Sequence, residues 1–168
     1  LSLFACHLVA LNLVGRNKKR GIEIETILPY LEKHLGDYVI FAGDMNEESH
    51  LDRPMPEDCV SRAIAGIGLI DSYREYYKSP EVMPGYTHNI LMIPTKRIDY
   101  IYISNGLEVK ESDTIGKKFY PHWPSDHGAL LSDIILNDNP PPVVIAKEKP
   151  DVEKKSTKTK KIEVSSKK

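Results

Sequence analysis

Little in this sequence settles its class at first sight. It has only two cysteines, Cys6 and Cys59. They lack the short paired spacing of a zinc site, and although they could pair with each other, they cannot build a disulfide framework. No apolar run approaches the roughly 20 residues that a membrane-crossing helix requires, so no membrane span is expected. There is no initiating methionine and no signal-peptide layout: the chain opens at Leu1 inside the apolar run Leu1–Cys6. That reads as a domain entered midway, with its N-terminal part upstream, and it leaves localisation open. Neither charge sign dominates, the formal net charge being −1. At 40% hydrophobic and 28% charged residues, the composition is that of an ordinary folded domain.

The near-zero charge hides an asymmetry. Residues 143–168 carry nine lysines against four acidic residues, and the rest of the chain carries 14 basic against 20 acidic residues. Pro140-Pro141-Pro142 marks the change. Residues 1–138 are therefore expected to form the folded domain and 139–168 a disordered Pro/Lys-rich tail. A solubilising extension is the favoured role for that tail, ahead of a tether to nucleic acid or another anionic surface.

Hydrophobic periodicity gives the elements. Leu1–Leu8 reads as a strand ending at His7. Ile24, Ile27, Leu28, Leu31 and Leu35 recur at helical spacing within residues 18–35, with Pro29 predicting a kink or a later start. Tyr38–Ala42 is a short strand closed by Gly43-Asp44. Val60, Ala63, Ile64 and Ile67 form one face of a second helix, and Asp71–Tyr77 suggests a further helical turn. Arg97–Ser104, Leu107–Ile115 and Gly128–Leu136 read as strands. The mixture lacks a strict βαβ rhythm and predicts an α/β or α+β layered fold with mixed sheets.

Three segments place polar chemistry beside these strands. Gly43-Asp44-Met45-Asn46 sets a carboxylate and a carboxamide two residues apart, able to face one small volume, hold a hard cation and contact a phosphate oxygen. A plain turn is the competing reading. Asp99 in Arg97-Ile98-Asp99-Tyr100-Ile101-Tyr102-Ile103 shares a strand face with Ile101 and Ile103. A carboxylate there needs a partner; a histidine suits, and a salt bridge to Arg97 is the alternative. Trp123-Pro124-Ser125-Asp126-His127 offers a metal-proximal carboxylate and an imidazole able to orient or deprotonate water. His7 taken alone reads more readily as a core residue. Arg16, Asn17 and Arg20 could reach phosphates, but a solvated helix start explains them better.

Taken in order, His7, Gly43-Asp44-Met45-Asn46, Arg97-Ile98-Asp99-Tyr100 and Ser125-Asp126-His127 resemble the endonuclease/exonuclease/phosphatase (deoxyribonuclease I-like) family over residues 1–136. The resemblance implies the C-terminal half of a four-layered αββα sandwich with mostly antiparallel mixed sheets. It also implies a Mg²⁺- or Mn²⁺-dependent hydrolase that cleaves a phosphodiester by in-line attack of an activated water. In that family's pattern Asp44 matches the aspartate that binds or activates the water, and Asn46 the asparagine that contacts the phosphate and orients that aspartate. Asp99 matches the carboxylate holding the catalytic histidine, His127 that histidine, and Asp126 its metal-proximal neighbour. His7 matches a histidine that contacts the scissile phosphate. The implied catalytic set is thus His7, Asp44, Asn46, Asp99 and His127, with Asp44, Asn46 and Asp126 toward the metal and His7, Asn46 and His127 toward the phosphate.

Departures accompany the match. The family's N-terminal asparagine and metal-binding glutamate have no counterpart here, nor does the partner carboxylate expected for His7. His88 stands where many relatives have tryptophan. The expected partner is a phosphate-ester substrate acted on by a monomer, with nucleic acid favoured and a phospholipid or sugar phosphate second. A non-catalytic fragment or scaffold on the same fold is the competing reading.

Overall fold

The computed structural model describes residues 1–10, 16–89, 91, 93–116 and 124–137, with only the backbone described for 16 and 17. The expected tail, Trp123, and the side chains of Arg16 and Asn17 lie outside the described residues. The elements, in order, are β1 (Ser2–His7), α1 (Arg16–Glu32), β2 (Val39–Asp44), α2 (Val60–Gly66), β3 (Ile70–Asp71), α3 (Ser72–Tyr76), β4 (Asp99–Ile103), β5 (Leu107–Ile115) and β6 (Ala129–Leu136). Four strands form a mixed sheet in the order β1-β2-β4-β3, and β5 and β6 form an antiparallel ribbon. This is the mixed α/β class that the sequence predicts.

The first three strands of the sheet share one register. β1 runs parallel to β2 and β2 antiparallel to β4. Cross-strand rows therefore alternate between faces. On one face lie Phe4, Phe41 and Tyr102, then Cys6, Gly43 and Tyr100. On the other lie Leu3, Ile40 and Ile103, then Ala5, Ala42 and Ile101, and finally His7, Asp44 and Asp99.

The first face is the main core. Val39, Phe41, Tyr100 and Tyr102 pack there against Ile24 and Leu31 of α1 and Val60 and Ile64 of α2. Burying each of these side chains is worth about 1.5–3 kcal/mol. The apolar residues of both helices recur at three- and four-residue spacing, and this places them on the stripe facing the sheet. The β5–β6 ribbon is joined at its side by hydroxyls: Ser132 Oγ lies 2.8 Å from Ser72 Oγ and 3.0 Å from Ser112 Oγ.

Three local expectations are revised. α1 begins before residue 18 and runs through Pro29 into its last turn, so Pro29 does not delay its start. The missing N–H costs only one bond of the helix ladder there, and Leu31 just beyond it is fully buried. β2 includes Asp44 instead of stopping before it. The two-residue strand β3, too short to leave a period, pairs with β4 at the sheet edge. Cys6 and Cys59 are both free thiols.

Gly43 fixes the close pairing of β1 and β2. Its φ is +148°, and a Cβ at that position would stand 1.9 Å from the backbone oxygen of Cys6. Gly43→Ala is expected to lower folding stability by about 3 kcal/mol or more, measured by urea unfolding. A loss below about 1 kcal/mol would mean that the strands can separate without penalty.

Candidate active site

Two strands end, and one begins, at a single polar row. His7 closes β1, Asp44 closes β2 and Asp99 opens β4, so the register sets His7 opposite Asp44 and Asp44 opposite Asp99. His7 Nε2 lies 3.4 Å from Asp44 Oδ2. Asn46 then folds back on Asp44: its backbone N–H donates to Oδ1 at 2.7 Å and its side-chain Nδ2 to Oδ2 at 3.1 Å. Nδ2 also donates to the carbonyl of Leu8 at 2.8 Å. This tight turn needs a left-handed residue, and Asn46 has φ 50°, a conformation asparagine tolerates better than most residues. Asp44 is thus gripped by the residue two places on, and Asn46 is tied to the end of β1.

Asp99 is paired with His127 rather than with Arg97. His127 Nδ1 lies 2.8 Å from Asp99 Oδ2. With Asp99 ionised, Nδ1 is the donor and the lone pair of the neutral ring sits on Nε2. The backbone around Asp99 is fixed by a residue that sequence reasoning did not single out: buried Thr87 accepts from the N–H groups of Ile98 and Asp99 at 3.1 and 3.2 Å. Burial pushes the Asp99 carboxyl above its ordinary range. Hydrogen bonds from Thr87 and His127 oppose that rise, and the charge of Asp44 adds to it. On the core side, the Cys6 thiol is pushed up to about 11, first by burial and then by Asp44 and Glu23. It is therefore a protonated packing group at neutral pH, not a nucleophile.

The remaining predicted residues divide. Asp126 is exposed and lies nearer His88 and His127 than Asp44: within 4.8 Å of one another are ligand atoms of His88, Asp126 and His127, and separately of Asp44, Asp99 and His127. Arg20 does not project into solvent from a helix start. It is buried, and its Nη2 donates to Glu47 Oε1 at 3.2 Å. Glu47 also accepts from Val60 N at 2.6 Å. Glu47, one residue from Asn46, is thus occupied in holding α1 and α2. Arg97 is likewise fully buried, bonded to both Asp52 and Asp71.

The donor set suits a divalent cation. Asp44 and Asp99 supply carboxylate oxygens and His127 a ring nitrogen within one small volume. Asn46, with its Nδ2 already donating to Leu8 and Asp44, would present Oδ1. Oxygen-dominated sets of this kind favour Mg²⁺ or Mn²⁺.

Comparison with protein-family models finds no match, and comparison with curated proteins finds none either. Solved structures do match. An endonuclease/exonuclease/phosphatase family protein from Bacteroides thetaiotaomicron superposes with TM-score 0.60 at 18% identity, over 80% of this chain and 49% of that one. The mannosyl-6-phosphatase Bt3783 of Bacteroides thetaiotaomicron VPI-5482 gives 0.57 at 19% identity, over 80% and 51%. D. rerio TDP2 complexed with a single-strand DNA product gives 0.57 at 17%, over 79% and 55%. The chain thus has the endonuclease/exonuclease/phosphatase fold and spans about half the length of these proteins.

The raised pKa of Asp99 has a consequence for stability. A carboxyl held above its unfolded value favours folding while protonated, and that contribution is lost as pH rises through the folded pKa. Asp99→Asn, which carries no charge to bury, is expected to gain stability relative to the parent as pH rises from below about 4 to neutrality. Urea unfolding at both pH values checks this, and a relative gain that instead shrinks with rising pH would contradict it.

Proposed function

We propose that this chain carries the water-activating and phosphate-contacting side of a divalent-metal-dependent phosphoesterase. The observation that carries the reading is the single polar row His7–Asp44–Asp99 across three adjacent strands, with Asn46 on Asp44 and His127 on Asp99.

A phosphate ester placed against this row would meet imidazoles from His7 and His127 and the Asn46 carboxamide. Attack on phosphorus builds charge on the phosphoryl oxygens, and polar groups already fixed in place stabilise that charge without reorganising. Asp44, oriented by two bonds from Asn46, is the group placed to align or deprotonate the attacking water. Asp99 keeps the His127 ring in one orientation and, when ionised, one tautomer, with the lone pair on Nε2. Asp44 and Asn46 would hold Mg²⁺ or Mn²⁺, whereas Asp126 lies with His88 and His127 in the other cluster of ligand atoms. The bound ion would supply Lewis-acid stabilisation of the phosphoryl oxygens.

For the substrate we favour a phosphodiester of nucleic-acid type, as the single-strand DNA product in the D. rerio relative suggests. A sugar phosphate is second, as in the mannosyl-6-phosphatase. The acidic character of residues 1–142 argues against a broad duplex-binding face, so single strands or small esters fit better.

The test is hydrolysis by the full polypeptide encoded around this sequence, with Mg²⁺, across abasic DNA, plain DNA, RNA, and lipid and sugar phosphates. His127→Ala is expected to lower kcat/KM on the best substrate by about 10²–10⁴, with an unchanged circular dichroism spectrum. Hydrolysis undiminished in that variant, or no hydrolysis of any ester by the parent, would sink the reading.

A further inference from the structure

His127 stands between two donor sets of different chemistry. In one set its partners are the carboxylates of Asp44 and Asp99; in the other they are the imidazole of His88 and the carboxylate of Asp126. We propose that His88, Asp126 and His127 form a separate binding site for a borderline transition-metal ion, Zn²⁺ or Co²⁺, distinct from the oxygen-rich position at Asp44.

The backbone builds the pair of imidazoles. His88 and His127 face each other in an antiparallel bridge, and such residues project their side chains to the same side. The bridge is anchored on both flanks: His88 N donates to Lys96 O at 3.0 Å, and Gly128 N donates to Thr87 O at 2.7 Å. The rings meet edge to face with centroids 5.1 Å apart. Nδ1 of His88 is buried and, among the described residues, has no hydrogen-bond partner. Asp126, being exposed, can swing to complete a third ligand.

The second feature is the Asp99 bond to His127 Nδ1. A histidine that ligates through one nitrogen while giving its other N–H to a carboxylate is the arrangement that orients and strengthens metal-binding imidazoles. Two imidazoles and one carboxylate, with a fourth position left to water, suit tetrahedral Zn²⁺, whereas Mg²⁺ prefers oxygen ligands. Ligand atoms already within 4.8 Å of one another need only small side-chain motion to close on an ion about 2.0–2.2 Å from each.

The site rests on geometry alone, and only its consequence rests on the phosphoesterase reading. An ion on Nε2 of His127 takes the atom that faces the substrate, so Zn²⁺ would block hydrolysis that Mg²⁺ supports.

Binding is tested on the purified chain without reference to activity. Zn²⁺ affinity is read by competition with a chromophoric chelator in millimolar Mg²⁺, and coordination by the visible spectrum of added Co²⁺. The parent is expected to bind one ion with an intense tetrahedral-type Co²⁺ spectrum. His88→Gln and Asp126→Asn should each weaken Zn²⁺ by about tenfold or more, and His34→Gln should bind as the parent does. Equal Zn²⁺ affinity in the parent and both site variants, or a parent without measurable Zn²⁺ binding, overturns the site. If His88→Gln fails to fold, the exposed Asp126→Asn change decides. In an active preparation His88→Gln should resist Zn²⁺ inhibition. Tight Zn²⁺ binding by this chain together with no hydrolysis by the full polypeptide would keep the site and remove the phosphoesterase reading.

Discussion

The candidate site depends on one constraint, the register shared by β1, β2 and β4. A slip of one residue in a strand turns every side chain to the opposite face. Here it would send His7 or Asp44 into the aromatic core and bring Cys6 or Gly43 to the polar row. Apolar patterning guards against that slip. Phe4, Phe41 and Tyr102 must face α1 and α2, and this forces Leu3, Ile40 and Ile103, and two rungs on His7, Asp44 and Asp99, to the other side. Gly43 adds a steric lock, since the Cys6 backbone occupies the space a side chain would need. The polar row is therefore set by the packing of residues that never touch it.

A buried ionic cluster then ties the loops around that row. Arg97 binds Asp52 and Asp71 and lies 4.6 Å from the Tyr100 ring. Arg74 binds the same Asp52 and donates to the carbonyls of Tyr77, Met83 and Pro84. One cluster thus joins the loop beyond Asn46, the N-cap of α3, the segment leading to Thr87 and His88, and the approach to Asp99. Exchanging such a cluster for apolar residues can be neutral, but removing one partner strands a buried charge, at about 3–5 kcal/mol. Its value here is positional. Asp52 bonds to both arginines, so the chain before and after the site cannot move independently.

Much of this was legible in the sequence because it is local. Alternation in residues 99–103 put Asp99 on the face of Ile101 and Ile103, and the cost of an unpaired carboxylate called for a partner. Turn chemistry marked Gly43–Asn46, and periodicity found both long-range helical faces. The less legible parts are long-range polar pairings. Arg97 shares Asp99's neighbourhood, and nothing nearby in sequence shows that Asp52 and Asp71 claim it first. Arg20 and Glu47, far apart along the chain, look solvated until α1 docks. Thr87 has no periodic signature, because its hydroxyl serves two backbone N–H groups of another segment. Pro29 did not delay the start of α1, because it falls in the last turn of the helix, beside the buried Leu31.

The face that carries the row has a further property. Leu3 is exposed by 72% and lies on the same side of β1 as Ala5 and His7. Along this face the rungs run Leu3–Ile40–Ile103, Ala5–Ala42–Ile101, then His7–Asp44–Asp99, two apolar rungs followed by one polar rung. A sheet face of that composition is shaped to be covered up to its last rung and open beyond it. Covering the apolar rungs would leave the polar row at the rim of the buried region. There the surroundings are dry enough to strengthen its charges, and yet a ligand can still reach them. The raised pKa of Asp99 already shows that environment at work, since burial outweighs two hydrogen bonds that favour its charge. Deeper burial would stop Asp99 from holding His127 as an ionised partner, and full exposure would let water compete for both. Placing the row one rung past the apolar ones keeps it between those limits.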